Sequence, residues 1–242
     1  MLQRTLLIAG NWKMNSAPKS LETYKSIKNI EVVVFPTFLD LAPCIKERIL
    51  TGGQFGRHDD YGPFTGDVSM KMLKDVGCTY VLCGHSERRQ HHHETDHNVA
   101  TQALAALRHS LHPVICIGET EEERATGKEH EVIRQQVNTV LSVIGDAAVT
   151  WAYEPVWAIG TGKNASPADA GIMHAFIRSL LPKSLQQSTR ILYGGSMKPA
   201  NCRELLEQPN IDGGLVGGAS LDPVQFGEIV TIAATIKKGE IE

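Results

Sequence analysis

The chain has 242 residues, 42% hydrophobic and 21% charged. That is apolar enough to fill an interior, which excludes bulk disorder, and long enough to fold without disulfides or metal. Twenty-four basic against 27 acidic side chains leave a net charge of -3. No basic run is dense enough to follow a nucleic-acid backbone or an anionic membrane.

In chain order, the first predicted element is an apolar run at 5–9, too short for a signal-peptide core. It runs into Gly10-Asn11-Trp12-Lys13, not the G-x-G-x-x-G turn that usually announces an open doubly wound sheet. Further short runs rich in β-branched residues, each a candidate buried strand, stand at 31–35, 79–83, 113–117, 149–153, 190–193 and 213–216. The gap between 35 and 79 leaves room for one more strand. Its only candidate is 49–56, where Gly52, Gly53 and Gly56 argue against a strand on propensity and only the repeat argues for it. Helical periodicity fills the stretches between, as at Val99, Leu104 and Leu107, or at Ile133, Val137, Val140 and Leu141. Eight strand–helix units predict an α/β fold, a closed parallel (β/α)8 barrel, with 1–242 as one domain.

The five cysteines are odd in number and lack a C-x-x-C pair, so reduced thiols and a cytoplasmic location are expected. No stretch approaches the ~18 apolar residues of a membrane span.

A barrel carries its chemistry at the C-terminal ends of its strands. There the sequence places Asn11 and Lys13, then His85, Ser86 and Glu87, then Glu154, then Gly194-Gly195-Ser196, and last Gly217-Gly218. Glu154 ends an apolar run, where burying a carboxylate costs free energy without a purpose. Partial desolvation is expected to raise its pKa and make it a general base. Lys13 can neutralise an anion or a developing oxyanion. A helix starting near His85 would disfavour the imidazolium. The two glycine pairs let backbone N–H groups approach a phosphate after the seventh and eighth strands.

Other readings fail on detail. Residues 158–163 miss the phosphate-loop pattern, with Trp157 for its first glycine and Asn164 for its Ser or Thr; a mobile lid after Glu154 fits better. His91-His92-His93-Glu94 with His97 lacks the H-E-x-x-H order of a metal site and reads as a solvated helix face.

Taken together, Asn11-Trp12-Lys13-Met14-Asn15, Gly84-His85-Ser86-Glu87-Arg88-Arg89, Cys116-Ile117-Gly118-Glu119, the twelve residues 152–163, Tyr193-Gly194-Gly195-Ser196 and Gly217-Gly218-Ala219-Ser220 closely resemble the triosephosphate isomerase family over the full length. That resemblance implies a TIM barrel interconverting dihydroxyacetone phosphate and D-glyceraldehyde 3-phosphate in glycolysis and gluconeogenesis, without metal or organic cofactor. It makes Glu154 the base and His85, as neutral imidazole, the group that polarises the carbonyl. Lys13 and Asn11 would address the substrate's oxygens and charge, with Glu87 balancing charge beside them. Backbone N–H groups of Gly160, Ser196, Gly217 and Gly218 would grip the phosphate under a lid at 155–165.

The resemblance also implies a homodimer in which the loop at 61–67, led by Thr65, enters the neighbour near its first and fourth loops. Two departures stand out: Phe55 after Gln54, where the family usually has Asn, and a shortened segment after Met14 that trims the first helix. Two alternatives stay open: a barrel lyase or aldolase using Lys13 as an imine-forming nucleophile, and a non-catalytic relative.

Overall fold

The computed structural model describes residues 4–27, 29–158 and 165–236. Eight parallel strands form one sheet in the order β2-β1-β8-β7-β6-β5-β4-β3. They are β1 Leu6–Asn11, β2 Ile30–Phe35, β3 Gly52–Gly53, β4 Tyr80–Cys83, β5 His112–Ile117, β6 Thr150–Tyr153, β7 Ile191–Tyr193 and β8 Gly213–Val216. A parallel bridge between Val34 and Thr51, with the Val34 N–H on Leu50 O at 2.9 Å, draws the two edges together. The architecture is the expected (β/α)8 barrel.

Side chains alternate along each strand. One set, including Leu7, Ala9, Val33, Leu82, Val114, Cys116, Ala152, Leu192 and Leu215, packs together inside the barrel. The other set, such as Val81, Ile115 and Trp151, packs outward against the helices. All five cysteines are buried and free.

The helices are α1 Leu41–Lys46, α2 Met70–Val76, α3 Ser86–His92, α4 Asp96–Arg108, α5 Glu121–Ala125, α6 Glu129–Ile144, α7 Pro167–Leu180, α8 Pro199–Leu206 and α9 Pro223–Thr235. Among the described residues, none is long and apolar enough to cross a membrane.

Three features refine the expectations. The strand expected at 49–56 exists but is two residues long. Its glycines are there for contact: a Cβ on Gly52 would run into the Phe35 ring, and one on Gly53 would lie 2.5 Å from Leu73. The first unit has no α-helix among its described residues, only a 3-10 turn at Glu22–Tyr24. There Tyr24 stacks on Phe226 of α9 at 4.8 Å and donates to Ser220 O at 2.8 Å, so aromatic packing covers the strands where a helix would lie. Leu104, which shares the helical period of Val99 and Leu107, is 40% exposed. The buried stripe of that helix runs through Val99, Gln102, Ala103 and Ala106, so small residues bring α4 close to its neighbours.

Candidate active site

The C-terminal ends of the strands bring Asn11, Lys13, His85, Glu154, Ser196, Gly217 and Gly218 around one cavity of about 360 Å³. Asn11 is the last residue of β1 and pairs with Phe35. Its Oδ1 accepts the Lys13 N–H at 3.0 Å, closing a tight turn that puts Lys13 at φ +50°. A left-handed backbone on a residue with a long side chain is strained and persists only where neighbours hold it. Gln54 supplies such a hold, its Nε2 donating to Lys13 O at 2.7 Å and to Phe35 O at 2.9 Å. Lys13 then extends its ammonium to Glu87 Oε1 at 2.6 Å. Its stem passes Gly217, whose added Cβ would lie 3.5 Å from Lys13 Cε.

The expected helix does begin at His85. The residue caps α3, its Nδ1 accepting the Glu87 N–H at 3.2 Å. That bond leaves the imidazole proton on Nε2, which faces Glu154 Oε1 at 2.9 Å. The other Glu154 oxygen accepts the Ser86 N–H at 2.8 Å, and the residue is only 2% exposed.

These contacts reverse the expected direction for Glu154. Burial favours its neutral acid, but His85, the Ser86 N–H and the Lys13 charge together outweigh burial and hold the carboxyl below its ordinary range. The expectation for His85 is reversed as well: burial works against its charged form, yet the Glu154 carboxylate, helped by Glu87, lifts the imidazole above its ordinary value. In this arrangement acid and base neutralise each other.

The opposite wall is backbone. Gly194 N–H donates to Tyr153 O at 2.7 Å, carrying β7 past the end of β6. Asn201 at the start of α8 fastens the following loop, its Nδ2 on Ser196 O at 3.0 Å and its Oδ1 on the Lys198 N–H at 2.8 Å. Gly217 and Gly218 open a short 3-10 helix, and a Cβ on Gly218 would meet nothing within 4 Å. Amide-rich chain at a helix start beside an ammonium is a ready anion site.

A family model for triosephosphate isomerase matches residues 6–233. The triosephosphate isomerase of Coxiella burnetii (strain Dugway 5J108-111) is 45% identical, covering 93% of this chain and 96% of its own. That of Hydrogenovibrio crunogenus is 46% identical over 92% and 96%, and that of Moorella thermoacetica 46% over 94% and 98%. The chain belongs to the triosephosphate isomerase family.

Of the residues picked from sequence for this triosephosphate isomerase fold, Asn11, Lys13, His85, Glu154, Ser196, Gly217 and Gly218 line the cavity, and Glu87 stands beside it on Lys13. Gly160 lies outside the described residues, as does the centre of the lid expected at 155–165. Beyond it, the Ser166 hydroxyl accepts the Asp169 N–H at 3.1 Å to cap α7. The histidine run ends α3 at the surface, with His93 at φ +56° as its C-cap.

Three neighbours of the site receive no role from the sequence reading. Gln54 enters there only as the residue before Phe55, because the strand it follows is two residues long. Lys198 lines the cavity from the loop before α8, where polarity is unremarkable. Glu119 was legible by its place: it follows β5 as Glu154 follows β6. It is fully buried, and its Oε1 accepts from the Tyr153 hydroxyl at 3.0 Å, Trp157 Nε1 at 2.8 Å and Arg124 at 3.1 Å. It thereby ties the start of the 155–165 segment to β5.

Proposed function

We propose that residues 1–242 form one catalytic barrel that interconverts dihydroxyacetone phosphate and D-glyceraldehyde 3-phosphate through an enediolate, in glycolysis and gluconeogenesis, with no metal or organic cofactor. The observation that carries the reading is the meeting of Glu154 and His85 at 2.9 Å on the wall of a cavity whose other sides are Lys13 and glycine-rich backbone. The phosphate sits on the amides of Ser196, Gly217 and Gly218, with Gly160 adding another from the lid and Lys13 and Asn11 addressing the substrate's oxygens.

The carbonyl end of the substrate comes between imidazole and carboxylate. Glu154, freed from the His85 and Ser86 donors, regains basicity and removes the proton from the carbon beside the carbonyl. His85, no longer lifted by that carboxylate and still accepting at Nδ1, is a neutral donor to the oxygen; this enzyme is itself the standard illustration of that pairing. Glu87 balances the Lys13 charge. Lid closure excludes the water that would let the enediolate lose its phosphate.

A barrel aldolase using Lys13 as an imine-forming amine is the weaker reading, because an ion-paired ammonium is not the desolvated amine such chemistry needs. A coupled assay in both directions on the purified chain tests the reading. Turnover of either triose phosphate, lost in Glu154→Gln, is expected; a borohydride-trapped adduct on Lys13 with no isomerisation would overturn it.

The same proposal covers assembly and location: a cytoplasmic homodimer. The loop at 61–67 is a braced finger. Arg57 lies over the Phe64 ring at 3.4 Å and bonds Asp59 at 2.8 Å and Asp67 at 3.0 Å, while Tyr61 is 75% exposed. A recess of about 310 Å³ beside Lys13, bordered by Met14, Phe38 and Phe55, is the docking place for a second copy's finger. Phe55 stacks under Arg88 at 3.6 Å and forms part of that recess. Sedimentation at low micromolar concentration is expected to give a dimer that Thr65→Arg weakens. A parent chain that sediments only as monomer would refute it.

A further inference from the structure

The buried stripe of α6 runs Ile133, Gln136, Val137, Val140 and Ile144, with one carboxamide among aliphatic side chains. Both ends of that amide bond the backbone of one residue. Gln136 Oε1 accepts the Gly118 N–H at 2.9 Å, and its Nε2 donates to Gly118 O at 3.0 Å. A carboxamide can donate and accept along one edge, which neither an aliphatic side chain nor an ionised carboxylate can do.

Gly118 extends β5 alongside the residue that bears the base. On one side of it Ile117 O accepts the Glu154 N–H at 2.8 Å, and on the other Glu119 O accepts the Val156 N–H at 3.2 Å. Between those bonds the two backbones touch: a Cβ on Gly118 would run into the Glu154 carbonyl oxygen. At so close an approach, a shift of the Gly118 backbone presses on that of Glu154. Gln136 itself does not border the cavity.

We propose that Gln136 is a positioning residue for the Glu154 carboxylate, acting from α6 through the Gly118 backbone. Its removal leaves a part-buried N–H and C=O without that partner and frees the two peptide units that meet at Gly118 to turn. A displacement of about 1 Å arising far from the reacting atoms can cost on the order of a hundred-fold in rate. The inference rests on Glu154 being the base.

The test compares kcat and KM of Gln136→Met, Gln136→Glu, Glu154→Gln and the parent between about pH 6 and about pH 9. Gln136→Met keeps length and loses both bonds. Its kcat is expected to fall roughly ten- to hundred-fold with KM within about two-fold, because the phosphate amides are untouched. Gln136→Glu accepts from the Gly118 N–H in either state but donates to Gly118 O only when protonated. Its kcat relative to the parent should therefore rise as pH falls, while the relative kcat of Gln136→Met stays level.

A Gln136→Met enzyme with kcat within about two-fold of the parent, or with its loss in KM alone, would overturn the inference. If that variant does not fold, a pH-independent relative kcat for Gln136→Glu overturns it instead. An active Glu154→Gln would overturn both this inference and the base assignment; an inactive Glu154→Gln beside a fully active Gln136→Met sinks only the former.

Discussion

At the N-terminal floor of the barrel, Arg190 bonds Glu31 at 2.7 Å and the Tyr80 hydroxyl at 3.0 Å, Tyr80 bonds Glu31, and His112 bonds Thr150 at 2.9 Å. Below them Asp212 accepts from Arg4 at 2.7 Å, from the Ile191 N–H at 2.9 Å and from Arg178. The C-terminal mouth uses the same residue types, a histidine, carboxylates and a cation, but sets them around a cavity with amides on its far wall. At the floor each of these ionised groups faces an opposite charge, and none of them lines the cavity at the mouth. Burial of charged side chains therefore does not by itself mark a catalytic site; unfilled space beside them does.

The comparison breaks most sharply at Glu154. Glu154→Gln should lower kcat by roughly 10² to 10⁴ while leaving Tm near the parent's, as read by coupled assay and calorimetry. Near-parent turnover would remove the chemical distinction between the two ends. The complementary loss at the floor is Asp212→Ala, which leaves Arg178 and Arg4 facing a buried vacancy. It is expected to cost about 3–5 kcal/mol, on the order of 10 °C in Tm, with kcat of the folded fraction unchanged. An unaltered Tm would show that the floor is not structural.

His112 gives a smaller, pH-dependent effect. Burial, with Arg190 adding to it, pushes its pKa down to about 4, so the unfolded chain binds a proton that the folded chain refuses. Stability should therefore fall as pH drops from the ordinary histidine value of about 6.5 toward 4, by roughly 3 kcal/mol. The same midpoint series on His112→Asn should lose that slope, and an unchanged slope would assign it elsewhere. Smallest is a surface control belonging to neither end: His93→Gly relieves the left-handed cap of α3 and should raise stability by about 1 kcal/mol.

Legibility followed periodicity. Seven strands could be read because parallel strands covered on both faces are continuous apolar runs, and their ends pointed to most of the cavity's residues. β3 was almost invisible, since two glycines carry no pattern and are explained only by Phe35 and Leu73 lying against them. Leu104 misled because apolar spacing cannot tell a helix's core stripe from its flank when alanines do the packing. Gln136 was overlooked for a related reason: read along α6, it looked like one more polar residue.

The sequence alone determined the alternation of strands and helices, the polar residues that follow each strand, and the family, because these depend on local order and spacing. Tertiary structure decided what those residues are to one another. It turned Glu154 and His85 into a mutually neutralising pair, against the raised pKa expected for the base. It also placed Gln54 behind Lys13 and made one end of the barrel a plug and the other a pocket. A pKa depends on burial and on charges that chain folding brings within a few ångströms, so it is a property of the assembled site and not of any one segment.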